Sequence, residues 1–280
     1  MRQAVSALFW PVVFVAFLFG VHLGIEAGRP VLGFNISYVL LAITIATAER
    51  LMPHERSWLA NDGQMLTDFL HTAVSKGSAQ VIVAASAVMG LAGSLPSGLG
   101  LWPSGLPVIV QVALGLAIAE FGLYWKHRIA HEWRPIWRFH AVHHSAPRLW
   151  FWNTGRFHIV DTALAIVAST TLLWLAGAPE VVYQWVGAVT AVIGMLTHCN
   201  VDVRCGIINY VFNTPNLHRW HHSTVPAEGN TNYGENLMLW DQAFGTYFLP
   251  ADRRPPANIG ILEPMPTDFL GQVAQPFRMP

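Results

Sequence analysis

Apolar positions in this chain fall in long blocks separated by short polar punctuation. Six blocks stand out: Ala4–Ile25, Val31–Ala48, Phe69–Leu91, Val108–Trp125, Phe157–Leu175 and Val181–His198. A helix needs roughly 20 mostly apolar residues to cross the hydrocarbon of a bilayer, and each block comes close to that. Pro11 lies near the start of the first block and His22 near its end, while Glu49 and Arg50 close the second. His71 and Lys76 enter the third, and Glu120 is the single acid of the fourth. Between the blocks, Leu51–Asp68 is a polar loop with Glu55, Arg56, Asn61 and Asp62. Gly93–Pro107 is an uncharged turn rich in Gly, Pro and Ser. The tight turn Ala176–Glu180 joins the last two blocks into a hairpin. From Asn200 onward the chain turns polar, and Pro250–Pro280 is Pro-rich.

The pattern predicts an all-α integral membrane protein with four to six transmembrane helices and a cytoplasmic helical cap. Six full spans and four spans plus a hairpin embedded in one leaflet both fit it. Composition agrees: 53% of residues are hydrophobic and 11% charged, against about 25% charged in soluble domains. The first block resembles a signal peptide in having one Arg before it. Its apolar run is too long and lacks a small-x-small cleavage site, so a first transmembrane helix or signal anchor is expected.

Charge then orients the spans. Residues 126–156 carry Lys126, Arg128, Arg134, Arg138, Arg148 and Arg156 against Glu132 alone. By the positive-inside rule that segment is cytoplasmic. The loops Ile25–Val31 and Gly93–Pro107 then fall outside, and Leu51–Asp68 and both termini inside. Net charge is zero, with no basic excess to suggest nucleic acid. Cys199 and Cys205 are too few for a disulfide framework or zinc ribbon and read as reduced thiols near the membrane face. No dinucleotide fingerprint, P-loop, CxxC or HPGG-type haem module occurs, so no cytochrome b5-like domain is expected in this chain.

The chemistry lies in the histidines. Tyr124–His144 reads YWKHRIAHEWRPIWRFHAVHH, which spaces His127 and His131 four apart and sets His140, His143 and His144 in an HxxHH group. A second HxxHH follows as His218, His221 and His222. Residues four apart on a helix share a face, so each cluster offers two or three imidazoles to a common point. Neutral imidazole suits Zn, Cu, Fe and Ni. A lone histidine is ordinarily a surface or satisfied core residue, but eight in this order predict a metal site holding two ions.

These boxes, with the run Asn230–Phe248 (NTNYGENLMLWDQAFGTYF), resemble the fatty acid hydroxylase / sterol desaturase superfamily of integral-membrane histidine-box enzymes. The likeness covers roughly residues 60–250. It implies a membrane-bound di-iron oxygenase that uses O2 to hydroxylate or desaturate an unactivated C–H bond of a fatty acyl, sterol or isoprenoid lipid. Electrons would come from NAD(P)H through a separate electron-transfer protein. It divides the chain into an N-terminal transmembrane hairpin (1–60), a catalytic domain (61–250) and a tail (251–280).

The phrase THCNVD resembles the family's H-x-N phrase and makes His198 a ninth ligand candidate. His158, in TGRFHIVD, matches another family phrase and is a weaker addition. Ligand histidines hand their second N–H to a carboxylate, carbonyl or water. Candidates for that support are Glu120, Asn200, Asp202, Glu235 and Asp241, and the resemblance adds Asn232 and Tyr233. Glu120 could instead pair with a buried polar group, and Asp241 could be a structural cap. His22, His54 and His71 are read as non-ligands. Five of the 12 tryptophans lie within 125–152, which suits interfacial anchoring and an apolar lipid pocket.

A histidine-rich zinc protein, hydrolytic or metal-handling, is the competing reading. His131–Glu132 begins an HExxH phrase, but Pro135 stands where its second histidine belongs. A transporter would place ionisable residues deep in several spans, whereas these cluster at span ends. A bacterial inner membrane is favoured over the endoplasmic reticulum because the terminal PFRMP lacks a lysine-type retrieval signal.

Overall fold

The computed structural model describes residues 2–74, 77 and 98–279. Regular structure among the described residues is helical, with three isolated β-bridges and no strand. The long helices are α1 (Arg2–Glu26), α2 (Pro30–Leu51), α3 (Val108–Glu132), α5 (Ile159–Ala176) and α6 (Glu180–His198), with the shorter α4 (Arg134–His144) after α3. The five long ones are each long and apolar enough to cross a membrane. Most of the apolar block Phe69–Leu91 and the first part of Gly93–Pro107 lie outside the described residues; residues 65–74 are helical.

Each span ends where the sequence stops supporting it. Pro30 starts α2 with a residue whose missing N–H costs nothing there. Gly177, at φ 79°, closes α5 in the left-handed conformation that glycine adopts freely. The spans turn apolar side chains outward: Leu8, Val12, Val15 and Phe19 of α1, Val39, Leu40 and Ile43 of α2, and Val167 of α5 are all exposed. Of α5 only Asp161 and Leu173 are buried. Such a surface is stable against lipid, where association rests on close packing instead of expulsion of water.

Close packing is visible where α3 meets α5. A Cβ on Gly122 would sit 2.1 Å from the Ala168 carbonyl oxygen, so glycine lets the two backbones touch. One turn further along, that approach sets Lys126 beside Asp161. The main core is built from Trp10, Phe17, Leu41, Ile45, Ala119, Val189, Ile193 and Leu196 of α1, α2, α3 and α6.

The polar C-terminal part folds over the ends of these helices through α7 (Pro215–His221), α8 (Leu239–Phe244) and α9 (Phe269–Ala274). The tail is tied in: Gly260 donates its N–H to the His222 carbonyl at 3.1 Å, and Trp58 donates its indole N–H to Ala257. His71 bonds Gln272 of α9 and the Phe157 carbonyl, and so stands apart from the histidine clusters. Cys199 and Cys205 are free and buried. Burial pushes both thiols up to about 12, which keeps them protonated.

Candidate metal centre

The α3 helix runs unbroken from its apolar span through the first histidine box. It ends at Trp133, whose N–H caps Ile129, and Pro135 then starts α4 in a new direction. The reversal folds α4 back on α3, so that His127 and His131 face His140 and His144. His198 arrives at the last turn of α6, and α7 carries His218 and His221 with His222 as its cap.

The nine histidines resolve into two groups. His127, His131, His140, His144 and His221 form one, and His143, His198, His218 and His222 the other, each with one ring nitrogen per residue within 4.8 Å of the others. The groups adjoin, since the His144 and His222 rings stack at 4.4 Å between centroids. All nine are buried except His131, which is partly exposed.

Hydrogen bonds set which nitrogen faces inward. The Nδ1 atoms of His127, His143 and His221 lie 2.7, 3.3 and 2.7 Å from the carbonyl oxygens of Tyr233, Arg156 and Thr231. His140 Nδ1 meets Asp161 Oδ2 at 3.1 Å, His131 Nδ1 meets Asn230 Oδ1 at 3.0 Å, and His198 Nδ1 meets Asn153 Oδ1 at 2.9 Å. These oxygens only accept, so each Nδ1 carries the proton and each Nε2 keeps a bare lone pair. His218 differs, with Nδ1 3.4 Å from the Asn213 amide nitrogen.

The Nε2 atoms of the two groups converge. His144 Nε2 lies 3.1 Å from both His131 Nε2 and His140 Nε2. His218 Nε2 lies 3.0 Å from His198 Nε2 and 3.1 Å from His222 Nε2. Those of His127 and His221 are buried with no hydrogen-bond partner. A buried unsatisfied polar atom costs about 1–3 kcal/mol. A cation at each focus relieves that cost, so the donor set fits a pair of borderline metal ions.

Burial also keeps the rings neutral. His221 is pushed down to about 3 by desolvation. His143, His144, His218 and His222 are lowered by the same cause, with neighbouring imidazoles adding to it. Neutral rings are the form that binds metal.

Two cavities reach the centre. One of about 230 Å³ lies between α3, α5 and α6, lined by His127, His140, His143, His198 and His218 together with apolar Phe157, Ala165 and Ile166. The other, about 540 Å³, borders His131, His144 and His221.

Other residues singled out in the sequence take different places. Glu120 accepts the backbone N–H of Glu235 and Asn236. Asp241 accepts those of Tyr233 and Gly234 and so holds the turn whose Tyr233 carbonyl receives His127. Asn232, at φ 54°, ties that turn to Leu217 and Phe248. Asn200 bonds the backbone of Glu55, and Asp202 lies near Arg2 and Ser6. Among the described residues none of these five side chains bonds a histidine ring. His158 caps α5 by accepting from Val160, its Nε2 facing the Val273 carbonyl, outside both groups.

Sequence reading missed Asp161, Asn153 and Asn230. Asp161 alone left a signal, as an acid at the very start of an apolar block.

The fatty acid hydroxylase family model matches residues 112–246. The chain is 48% identical to the ornithine lipid hydroxylase OlsE of Rhizobium tropici over 98% of its own length and 84% of that protein. It is 30% identical to the alkylglycerol monooxygenase of Danio rerio over 48% of its length, and 25% identical to the methylsterol monooxygenase 2-2 of Arabidopsis thaliana over 56%. It spans 30% and 58% of those two relatives. No solved structure matches.

Proposed function

Because the chain belongs to the fatty acid hydroxylase family, we propose that its nine clustered histidines hold two iron ions and that the centre hydroxylates a membrane lipid. The chain is an oxidoreductase acting on lipids, as its hydroxylase, monooxygenase and desaturase relatives are. The observation that carries the metal assignment is the convergence of nine imidazole nitrogens at two adjoining foci beside a cavity between apolar helices.

In this reading His127, His131, His140, His144 and His221 hold one ion, and His143, His198, His218 and His222 the other. Iron bound there supplies O2 activation and removal of hydrogen from an unactivated C–H bond. The protein supplies position and dryness. The carbonyls of Tyr233, Arg156 and Thr231 and the side chains of Asp161, Asn153 and Asn230 fix ring orientation. Phe157, Ala165 and Ile166 give the hydrocarbon an apolar wall beside the histidines.

The nearly full-length likeness to an ornithine lipid hydroxylase favours an amino-acid-containing lipid as substrate and hydroxylation as outcome. Residues 61–250 would form the catalytic unit, with the histidines on the cytoplasmic face of a bacterial inner membrane. The six basic residues of 126–156 support that orientation. Electrons would come from NAD(P)H through a separate carrier protein. A zinc hydrolase finds little support: Glu132, which would be the base of an HExxH phrase, is half exposed and paired with Arg128 at 2.8 Å.

Expression in a bacterium that makes ornithine lipid but cannot hydroxylate it tests the reading. Growth under labelled O2 should add one labelled oxygen atom to that lipid. An unchanged lipid profile with full metal occupancy would overturn it.

A further inference from the structure

The cavity between α3, α5 and α6 carries three charged side chains besides its histidines: Lys126, Asp161 and Glu235. The first two neutralise each other, Lys126 Nζ lying 2.8 Å from Asp161 Oδ1 with both side chains almost wholly buried. The other oxygen of Asp161 takes His140. Glu235 is left over. Its backbone N–H is held by Glu120, but among the described residues no ion pair reaches its carboxylate. Desolvation pushes that carboxyl above its ordinary range; Lys126 pulls it down and Asp161 pushes it up. A carboxylate facing a mostly apolar cavity is costly unless a cation or donor meets it.

The cavity is small. Pockets that enclose a whole drug-sized ligand run to about 300–1,000 Å³, so about 230 Å³ admits one portion of a lipid. An apolar portion alone would leave Glu235 unmatched.

We propose that Glu235 anchors a protonated amine of the lipid substrate, so that the amine-bearing portion of the lipid enters the cavity beside His127 and His140. The inference rests on the lipid-hydroxylase reading and specifies which part of the substrate that site receives. The Lys126–Asp161 pair sharpens the anchor: with Lys126 already engaged, Glu235 is the charged side chain of this cavity left to meet an ionic group of the lipid.

The test is equilibrium binding to the full-length, metal-loaded protein in nanodiscs without O2. The probes are an ornithine lipid and the same lipid with its side-chain and any other free amine acetylated. Losing one partner of a buried charge pair weakens binding by about thirtyfold or more, so the wild type should prefer the free amine by that factor. Glu235→Gln should lose the preference while still binding the acetylated lipid and keeping its metal content. Equal binding of both lipids by the wild type, or a preference that survives Glu235→Gln, would overturn the anchor and leave the lipid site intact. Binding of neither lipid would overturn the lipid reading and the anchor with it.

Discussion

His140 and Asp161 stand 3.1 Å apart, Nδ1 to Oδ2, across the interface between α4 and α5. The carboxylate is shared with Lys126 at 2.8 Å, and its negative charge makes His140 the one ring of its group held by an anion. Supporting groups of this kind are typically worth about 10–100-fold in metal affinity. Asp161→Asn should therefore weaken metal retention by that order under chelator competition, with the helical content unchanged. Unaltered retention would mean that the pair only seals the helix interface.

The two groups should lose metal independently. His131→Ala removes a member of the first group and His198→Ala one of the second. Each should lower the metal content towards one ion per chain, whereas His158→Ala, altering only a helix cap and a tail contact, should leave it whole. Elemental analysis of the three variants checks this. Full loss in either ligand variant would mean that the ions load as one unit.

Acid should release the metal and weaken the fold together. The unfolded imidazole titrates near 6.5, while folded His221 is held down to about 3 by burial. Between those values the unfolded chain binds the additional proton, so stability rises with pH there and falls on acidification. Above about pH 6.5 both states are neutral and His221 contributes no slope. The lowered pKa values of His143, His144, His218 and His222 add in the same sense. Thermal unfolding of the metal-free protein should show a falling midpoint from about pH 6.5 downward, and bound metal should leave over the same range. A midpoint flat from pH 7 to 5 would contradict it.

Glu120 is buried and accepts the N–H groups of Glu235 and Asn236 at 2.6 and 3.0 Å. Glu120→Ala strands both donors, at about 1–3 kcal/mol for each. Glu120→Gln keeps an acceptor and should recover part of the loss. Denaturation in detergent measures both. Equal stability of wild type and Glu120→Ala would mean that water replaces the carboxylate.

Much of this was legible in the sequence. Apolar blocks of span length became α1, α2, α5 and α6 within about three residues of their expected bounds, and α3 began as expected at Val108 but ran seven residues past Trp125 to Glu132, carrying the first histidine box with it. Histidine spacing placed the first eight rings, since i and i+4 share a helix face, and the THCNVD phrase added His198. The supporting shell was harder to read. His127, His143 and His221 lean on backbone carbonyls, which every residue possesses and no sequence advertises. Asn153 reaches His198 across 45 positions, a pairing that only the packing of α6 against the 151–155 turn creates. Glu120, Asn200 and Asp241 do have polar partners, but those are backbone groups of turns, with the Thr246 hydroxyl added at Asp241.

The most direct test of the central claim is the metal itself. Protein purified from cells grown on isotopically enriched iron should be assayed for metal content and by Mössbauer spectroscopy. Two irons per chain with a spin-coupled di-iron signal are predicted from the two adjoining foci of Nε2 atoms. Two zinc ions that iron cannot displace, with no O2-dependent change in any lipid, would contradict the account.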